Sequence, residues 1–473
     1  MIAVYQHKRR KEALCQKVVT LAFLLASWSV SSFCYALELA PLPDFSKNPQ
    51  PKITLFTIAG SNTIGAKLGP ALVRQYLADK GLTEIQEKEL ATNEKEIVGL
   101  AKQQNKSVAI VVKAHGSSSG FKAIAAGKAD IAAASRSIKD KEHKLLSSKG
   151  DFKSDTAEHI LAIDGLAIIV NQSNPLKQLS VEQVGRLFTG NISSWSQIGG
   201  APLKVICFAR DDASGTWDTF NGLVLKKQSL VAGTERFESN AELARKVAAS
   251  SGAIGFVGLN SIGNAKPLAI SAGGDNYLEP NLLNVATEDY PLGRRLYFYV
   301  SPNTPSTLAK EFVEYALSAK GQEIVNEAGF VGQNIAMLNQ QLAAKFPADY
   351  IEQVKGYRRL SVNFRFQIGK AKLDNKGNRD LKRMKAFYEQ QRKNGPVSFI
   401  VRGFAEEAGN AKKTELLANL RAKVVKRELI KAGLDRNSLK VIGYGALHLT
   451  QSNNDPATKV KNSRVEVWLK SSP

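Results

Sequence analysis

Residues 53–72 read ITLFTIAGSNTIGAKLGPAL, and this stretch decides the fold class. Ile53 to Ile58 is a short apolar run of strand type. Gly60-Ser61-Asn62-Thr63 is a turn of small and hydroxyl residues, and Ile64, Leu68, Leu72 and Tyr76 then fall at i+4 steps on one helix face. Strand, glycine-rich turn and helix recur downstream. Val108 to Val112 leads into Gly116-Ser117-Ser118-Ser119-Gly120 and a helix from Phe121, and Ile160 to Val170 and Leu203 to Phe208 are further strands. The alternation predicts an α/β unit with a largely parallel sheet. In such sheets ligands bind where loops leave the carboxyl ends of the strands.

Outward from this unit the chain changes character twice. Lys8-Arg9-Arg10-Lys11 precedes an apolar run from Val18 to Trp28 and a small-residue exit to Ala36, the order of a cleaved secretory signal. Its apolar core is about eleven residues, against the ~20 that a membrane-spanning helix needs. Acylation of Cys34 is the lipoprotein alternative, and Ser31-Ser32-Phe33 is a poor approach to it. The expected organisation is signal 1–36, a proline-rich tether 37–52, the α/β unit 53–340, a linker 341–357 and a second unit 358–473. In that last unit Leu360, Val362, Phe364 and Phe366 alternate as a half-buried strand. The order of elements that follows is βαβαββ, a small α+β domain with helices on one sheet face.

Charge follows the same division. The chain carries +22, and residues 356–473 alone hold 26 Lys and Arg against 10 Asp and Glu. An exported basic module suits an anionic envelope polymer or membrane surface better than nucleic acid. Three cysteines cannot staple a chain this long, and after signal removal only Cys207 remains. The five histidines are scattered, so neither a metal site nor another cofactor is expected.

Three turns of the first unit share one chemistry: Gly60–Thr63, Gly116–Gly120 and Ser214-Gly215-Thr216. Each sets backbone N–H groups and hydroxyls at a helix start, where unpaired donors and the positive dipole end attract anions. Arg210, four residues before Ser214, supplies a guanidinium suited to an oxyanion. A single turn of this kind is usually a helix cap, but three beside one arginine point to a site. A nucleotide P-loop is rejected because Gly127-Lys128-Ala129 lacks the magnesium-binding hydroxyl.

The runs Ala59–Gly65, Gly116–Ala123, Ala162–Asn171, Leu187–Trp195, Arg210–Thr216 and Gly252–Val257 resemble those of the periplasmic phosphate-binding proteins of ABC transporters. The resemblance implies an α/β two-lobed periplasmic binding protein of type II-like architecture, with the ligand enclosed between lobes joined by crossover strands. It also implies that Thr63, the Ile64 amide, Ser117, Ser135, Arg210, Ser214, Gly215 and Thr216 hold inorganic phosphate. Ser135 stands where members of that family often have an aspartate that accepts the proton of phosphate, so selectivity against sulfate is expected to be weaker. Asp212 is expected to orient Arg210, Arg136 beside Ser135 is a further candidate contact, and His115 abuts the second turn.

From 358 to about 470 the chain resembles OmpA-like peptidoglycan-binding domains through Asn363–Phe366, Gly403–Glu406, Leu417–Ala422, Gly443–Gly445 and Asn462–Val467. The resemblance implies that Glu406, Arg421 and Arg464 bind peptidoglycan, Glu406 taking the ammonium and Arg421 the carboxylate of a diaminopimelate end, with Arg464 in the closing strand. Glu406, Ala405, Thr414 and Ala418 replace the usual Asp, Thr, Asn and Ser. The expected function is therefore a non-catalytic, periplasmic phosphate receptor anchored to peptidoglycan and able to serve an inner-membrane ABC transporter. The rival readings are a structural wall-binding protein whose first unit does not bind ligand for transport, and a phosphate-releasing hydrolase. The hydrolase lacks an evident nucleophile–base pair.

Overall fold

The computed structural model describes residues 38–212, 214–338, 347–367, 370–406, 410–446 and 462–471, so the signal at 1–36 lies outside the described residues. Among the described residues no helix is long and apolar enough to cross a membrane.

The first lobe is built on β1 (Lys52–Gly60), β2 (Thr83–Ala91), β3 (Glu94–Ala101), β4 (Lys106–Lys113) and β5 (Ile131–Ala134). From it β6 (Glu158–Val170) runs into a second lobe. That lobe holds β7 (Gln178–Ser180), β8 (Ile206–Arg210), β9 (Glu235–Phe237), β10 (Ala253–Gly258), β11 (Lys266–Pro267) and β12 (Ala269–Ser271). β13 (Gly293–Val300) returns to the first lobe. One sheet links them in the order β2-β3-β4-β1-β5-β13-β6-β10-β8-β9, with β11 on the other side of β6 and β7 paired to β12 apart. Residues 158–165 of β6 pair with β13, and residues 166–170 pair with β10. The strand therefore serves both lobes, and the junction falls at Gly165, opposite Gly293.

The sheet is mixed rather than largely parallel. β1 is parallel to β4 and β5, and β8 to β9 and β10. The β2–β3–β4 meander and the crossover strands are antiparallel. β2 is exposed along nearly its whole length, so it lacks the apolar alternation by which a strand announces itself.

Each lobe buries an aromatic core. Phe56, Tyr76, Phe298 and Phe312 pack in the first, and Phe188, Phe220, Phe256 and Trp195 in the second. Phe220 and Phe256 stack with ring centroids 3.9 Å apart. In the stretch expected as a tether, Leu39, Leu42 and Phe45 lean on the first core, and the Phe45 amide donates to Gln104 Oε1 at 2.7 Å.

The C-terminal unit has the expected βαβαββ order. β15 (Arg358–Arg365), β16 (Val397–Phe404), β17 (Leu439–Gly445) and β18 (Arg464–Ser471) form its sheet, joined at one edge by β14 (Met337–Leu338), in the order β14-β15-β18-β16-β17. Helices Asn375–Arg392 and Ala411–Ala432 cover one face, Val425 of the second packing over Phe364, Val401 and Val467 of the sheet. The stretch expected as a linker contains the helix Ala348–Gln353, whose Tyr350, with Val354 just after it, packs on the opposite face against Ile400, Phe404 and Trp468. Arg402, fully buried, fastens it by donating to the Tyr350 carbonyl and Gln353 Oε1, with its guanidinium 3.9 Å from the Tyr350 ring centroid.

Charged groups join the C-terminal unit to the first. Arg365 donates to Asp289 Oδ1 at 2.9 Å and to the Thr287 carbonyl at 3.0 Å, and Asn363 reaches the same two residues. Arg295 is shared between Glu288 and Asp374. Residues 287–289 lead into the return crossover, so this docking grips the approach to the hinge.

Candidate oxyanion site and C-terminal clamp

The first-lobe turns are knitted together by their main chain. Gly60 has φ +137°, and a Cβ there would lie 2.0 Å from the Ala133 carbonyl oxygen, so only glycine fits. The Gly116 amide donates to the Gly60 carbonyl at 2.7 Å, and the Ser61 amide to the Ala133 carbonyl at 2.8 Å. Ser117 Oγ accepts from the Ser135 amide at 3.1 Å and lies 3.3 Å from Ser135 Oγ. Thr63, Ile64, Ser117 and Ser135 thus sit on adjacent turns at the ends of β1, β4 and β5. Ser61 Oγ and Asn62 Oδ1 are buried there without a protein partner among the described residues.

The second lobe brings the third turn against the first. Ser214 caps the helix Gly215–Phe220, its Oγ accepting from the Trp217 amide at 3.3 Å. Gly215 presses on Thr63 so closely that a Cβ would stand 2.2 Å from both Thr63 Cα and Oγ1. Thr216 follows, partly exposed. Seven of the eight predicted contacts therefore belong to turns that meet at the lobe junction.

Arg210 is the eighth, and its guanidinium is committed elsewhere. It is 8% exposed and donates through Nε to the Phe237 carbonyl at 3.1 Å, through Nη1 to Asn240 Oδ1 and through Nη2 to the Glu238 carbonyl. Burial lowers its pKa, with Asp211 and Glu238 opposing. Asp212 does not orient it: Asp212 accepts from Arg236 Nη2 at 2.6 Å, while Arg236 Nε donates to the Arg210 carbonyl. Arg136 is likewise spent, on Glu142 and Ser118. Burial works to raise the Glu142 carboxyl, but Arg136 and the Lys139 amide hold it at about 2. His115 bonds Glu94 at 3.0 Å.

Sequence reasoning missed Arg294, Asp164 and Thr219. Arg294 Nη2 donates to Thr63 Oγ1 at 2.8 Å and to the Gly215 carbonyl at 2.7 Å, and its Nε to Asp164 Oδ2 at 3.3 Å. Thr219 Oγ1 donates to the same Asp164 oxygen at 3.0 Å. The available signal was a lone aspartate inside the apolar run Leu161–Val170, since a charge within a buried strand demands a partner.

At the C-terminal unit Arg421 donates to Ser463 Oγ at 3.0 Å and to the Phe404 carbonyl at 3.4 Å. Burial lowers its pKa, and the opposing charge of Glu406 raises it, so the two residues share one locality. Arg464 departs from expectation. It is fully buried, pairs with Glu466 at 2.9 Å and lies 4.0 Å from the Phe404 ring centroid. It alternates with Val465, so it sits on the sheet face under Ala348–Gln353, opposite the helix that carries Arg421. The Glu466 pair and the Phe404 ring engage its guanidinium on that face.

A PBP superfamily domain matches residues 90–320 and an OmpA family domain matches residues 365–464. The phosphate-binding protein PstS of Pseudomonas aeruginosa is 30% identical over 242 residues, 48% of this chain and 74% of the relative. The chain belongs to the family of PstS-like phosphate-binding proteins. Protein SphX of Synechococcus elongatus is 30% identical over 243 residues, 48% of this chain and 70% of its own. An ABC-type phosphate transport receptor from Vibrio cholerae aligns with a TM-score of 0.46 and 24% identity, over 58% of this chain and 99% of that one. By its strand order and the two family matches, the chain is a two-lobed α/β binding protein of the ABC-transporter substrate-binding family followed by an OmpA family domain. Substrate-binding proteins, not enzymes, make up the first family.

Proposed function

We propose that this protein is a periplasmic receptor that encloses inorganic phosphate, or a similar tetrahedral oxyanion, between its lobes and is held to peptidoglycan by its C-terminal domain. The observation that carries the first half is the meeting of the Thr63 and Gly215 turns, one from each lobe, beside the Ser117–Ser135 pair. A buried oxyanion needs every oxygen paired, and hydroxyls and amides converging from two lobes answer that need. Contacts to both sides make the ligand favour the closed arrangement. The cradle is made by Thr63, the Ile64 amide, Ser117, Ser135, Ser214, Gly215 and Thr216, with Arg210 bracing the floor of the second lobe. An inner-membrane ABC transporter is the partner that relatives of this kind suggest.

The second half rests on the neighbourhood of Glu406 and Arg421 and on the excess of basic residues. A carboxylate and a guanidinium set together match the two charges of a diaminopimelate end. The mature sequence reaches this compartment through the leader at 1–36, removed in transit.

One observation favours a second reading. The Arg210 guanidinium gives its hydrogen bonds to Phe237, Glu238 and Asn240, which suits a wall-binding protein whose first domain does not bind ligand for transport. Calorimetry on the mature chain with phosphate, arsenate and sulfate separates them. Micromolar or tighter phosphate binding is the expected result, and silence with all three anions rejects the receptor.

A further inference from the structure

Arg294 stands at the start of β13, where the chain has just returned from the second lobe, and its side chain is 14% exposed. One of its nitrogens reaches an oxygen on each side of the lobe junction: Thr63 Oγ1 of the first lobe and the Gly215 carbonyl of the second. Its Nε is held by Asp164 on the other crossover strand, and Asp164 is held in turn by Thr219. Both crossover strands and both lobes thus meet on one guanidinium.

The chemistry of the donor set gives this bond a direction. A guanidinium has only donors, so Thr63 Oγ1 must accept from it, and the single Thr63 hydroxyl proton is left to point elsewhere. The Gly215 carbonyl is pinned in the same way, and the trans peptide plane then aims the Thr216 N–H away from Arg294. Asp164 offsets the positive charge, so Arg294 acts through geometry more than through net charge.

We propose that Arg294 is the positioning residue of the oxyanion site, turning the Thr63 hydroxyl and the Thr216 amide into donors for the ligand and latching the two lobes in register. This rests on the oxyanion reading above. The latch differs from the cradle in that its bonds run from protein to protein, so it steadies closure whichever anion is bound.

The test uses the full mature chain, inorganic phosphate as probe, and Arg294→Gln, Arg294→Lys, Thr63→Val and Arg294→Gln with Thr63→Val together. Hydrogen bonds to charged groups set the scale, so Arg294→Gln should weaken phosphate binding about 10–100-fold, mainly through faster release in stopped flow. Because the Thr63 share of the effect runs through Arg294, the two substitutions together should cost clearly less than the sum of their separate losses, the remainder coming from the Thr216 amide and the latch. Additive losses in the double variant, or full recovery by Arg294→Lys, would overturn the positioning role. Should the Gln variant fold poorly, pairing it with Asp164→Asn removes the uncompensated carboxylate and preserves the comparison. If the wild type binds none of phosphate, arsenate or sulfate, the receptor reading fails by itself. The latch is then decided by ligand-free small-angle scattering: a larger radius of gyration for Arg294→Gln supports it, and unchanged profiles sink it.

Discussion

Between the lobes, Arg210 and Arg294 give their hydrogen bonds to protein carbonyls, hydroxyls and side chains, so the groups left for a ligand are neutral donors held in place by buried charge. In the C-terminal domain Glu406 makes no ion pair among the described residues, and Arg421 lies within the reach of its charge. On the proposed function the first arrangement would recognise by donor direction and enclosure, the second by a facing pair of charges. The contrast has a practical consequence. Enclosed hydrogen bonds are little affected by salt, whereas a partly exposed charge pair is screened.

The sharpest way to break the first arrangement is steric. Gly215→Val would drive a side chain into Thr63, where even a Cβ stands only 2.2 Å away. The lobes could not then close, and phosphate affinity should fall by about 100-fold or more by calorimetry, with the thermal midpoint of each lobe little changed. Retained affinity would mean that the Thr63–Gly215 contact is not part of the bound state. The second arrangement breaks by charge. Arg421→Ala should lower recovery in a pull-down with intact peptidoglycan about tenfold at low salt, since one charge-assisted pair is lost. The same substitution should leave phosphate binding unaltered, and wild-type recovery should fall as salt rises.

Much of this comparison could be read from the chain before its fold. The turns at Gly60, Gly116 and Ser214 were legible because glycine and hydroxyl residues between a β-type and a helical run have few other uses. The C-terminal βαβαββ order was legible from alternation and helical spacing. The β2–β3 hairpin was not, because its first strand is polar on both faces. Arg294 was not, because a charge at the head of an apolar strand looks like any exposed strand start. Only the three-dimensional meeting of Thr63, Gly215 and Asp164 gives it a task. The face Arg464 takes was not legible either: alternation with Val465 sets it opposite the helix that carries Arg421, paired with Glu466. The docking of the C-terminal domain at residues 287–289 was also invisible, since its partners lie more than seventy residues apart in sequence.

That docking lets the two regions be tested as a coupled system. Arg365 and Asp289 are nearly buried, and removing one partner of such a pair typically costs about 3–5 kcal/mol. Arg365→Ala should therefore separate the unfolding of the two domains in a calorimetric scan, where the wild type shows closer transitions. Acid should do the same more gradually. Burial works to raise the Glu288 carboxyl, but Arg295, with Lys376 and Arg365, holds it at about 2 against an ordinary 4.5. A depressed carboxyl contributes stability that is complete above its unfolded value and is lost as pH falls through its folded one. Arg295 belongs to the same unit as Glu288, so only the share owed to Lys376 and Arg365 reports docking, and that share should be flat from pH 7 to about 5 and decline from 4.5 toward 2. A steep loss between pH 7 and 5 would assign the coupling to other groups.

The smallest expected effect sharpens the first site rather than breaking it. Ser117 Oγ accepts from the Ser135 amide and lies 3.3 Å from Ser135 Oγ, so one hydroxyl donates to the other and the second keeps its proton for a further partner. In the proposed cradle a hydroxyl pair, able to donate or accept, would serve an oxyanion with no proton of its own as well as one that carries a proton. Ser135→Asp introduces an acceptor-only group, which gains a hydrogen bond from protonated phosphate and repels sulfate. Competition calorimetry should show the phosphate-to-sulfate affinity ratio rise about tenfold, the scale of one charge-assisted hydrogen bond against one repulsion. An unchanged ratio would place residue 135 outside contact with the anion and leave Ser117 as the contact from that part of the cradle.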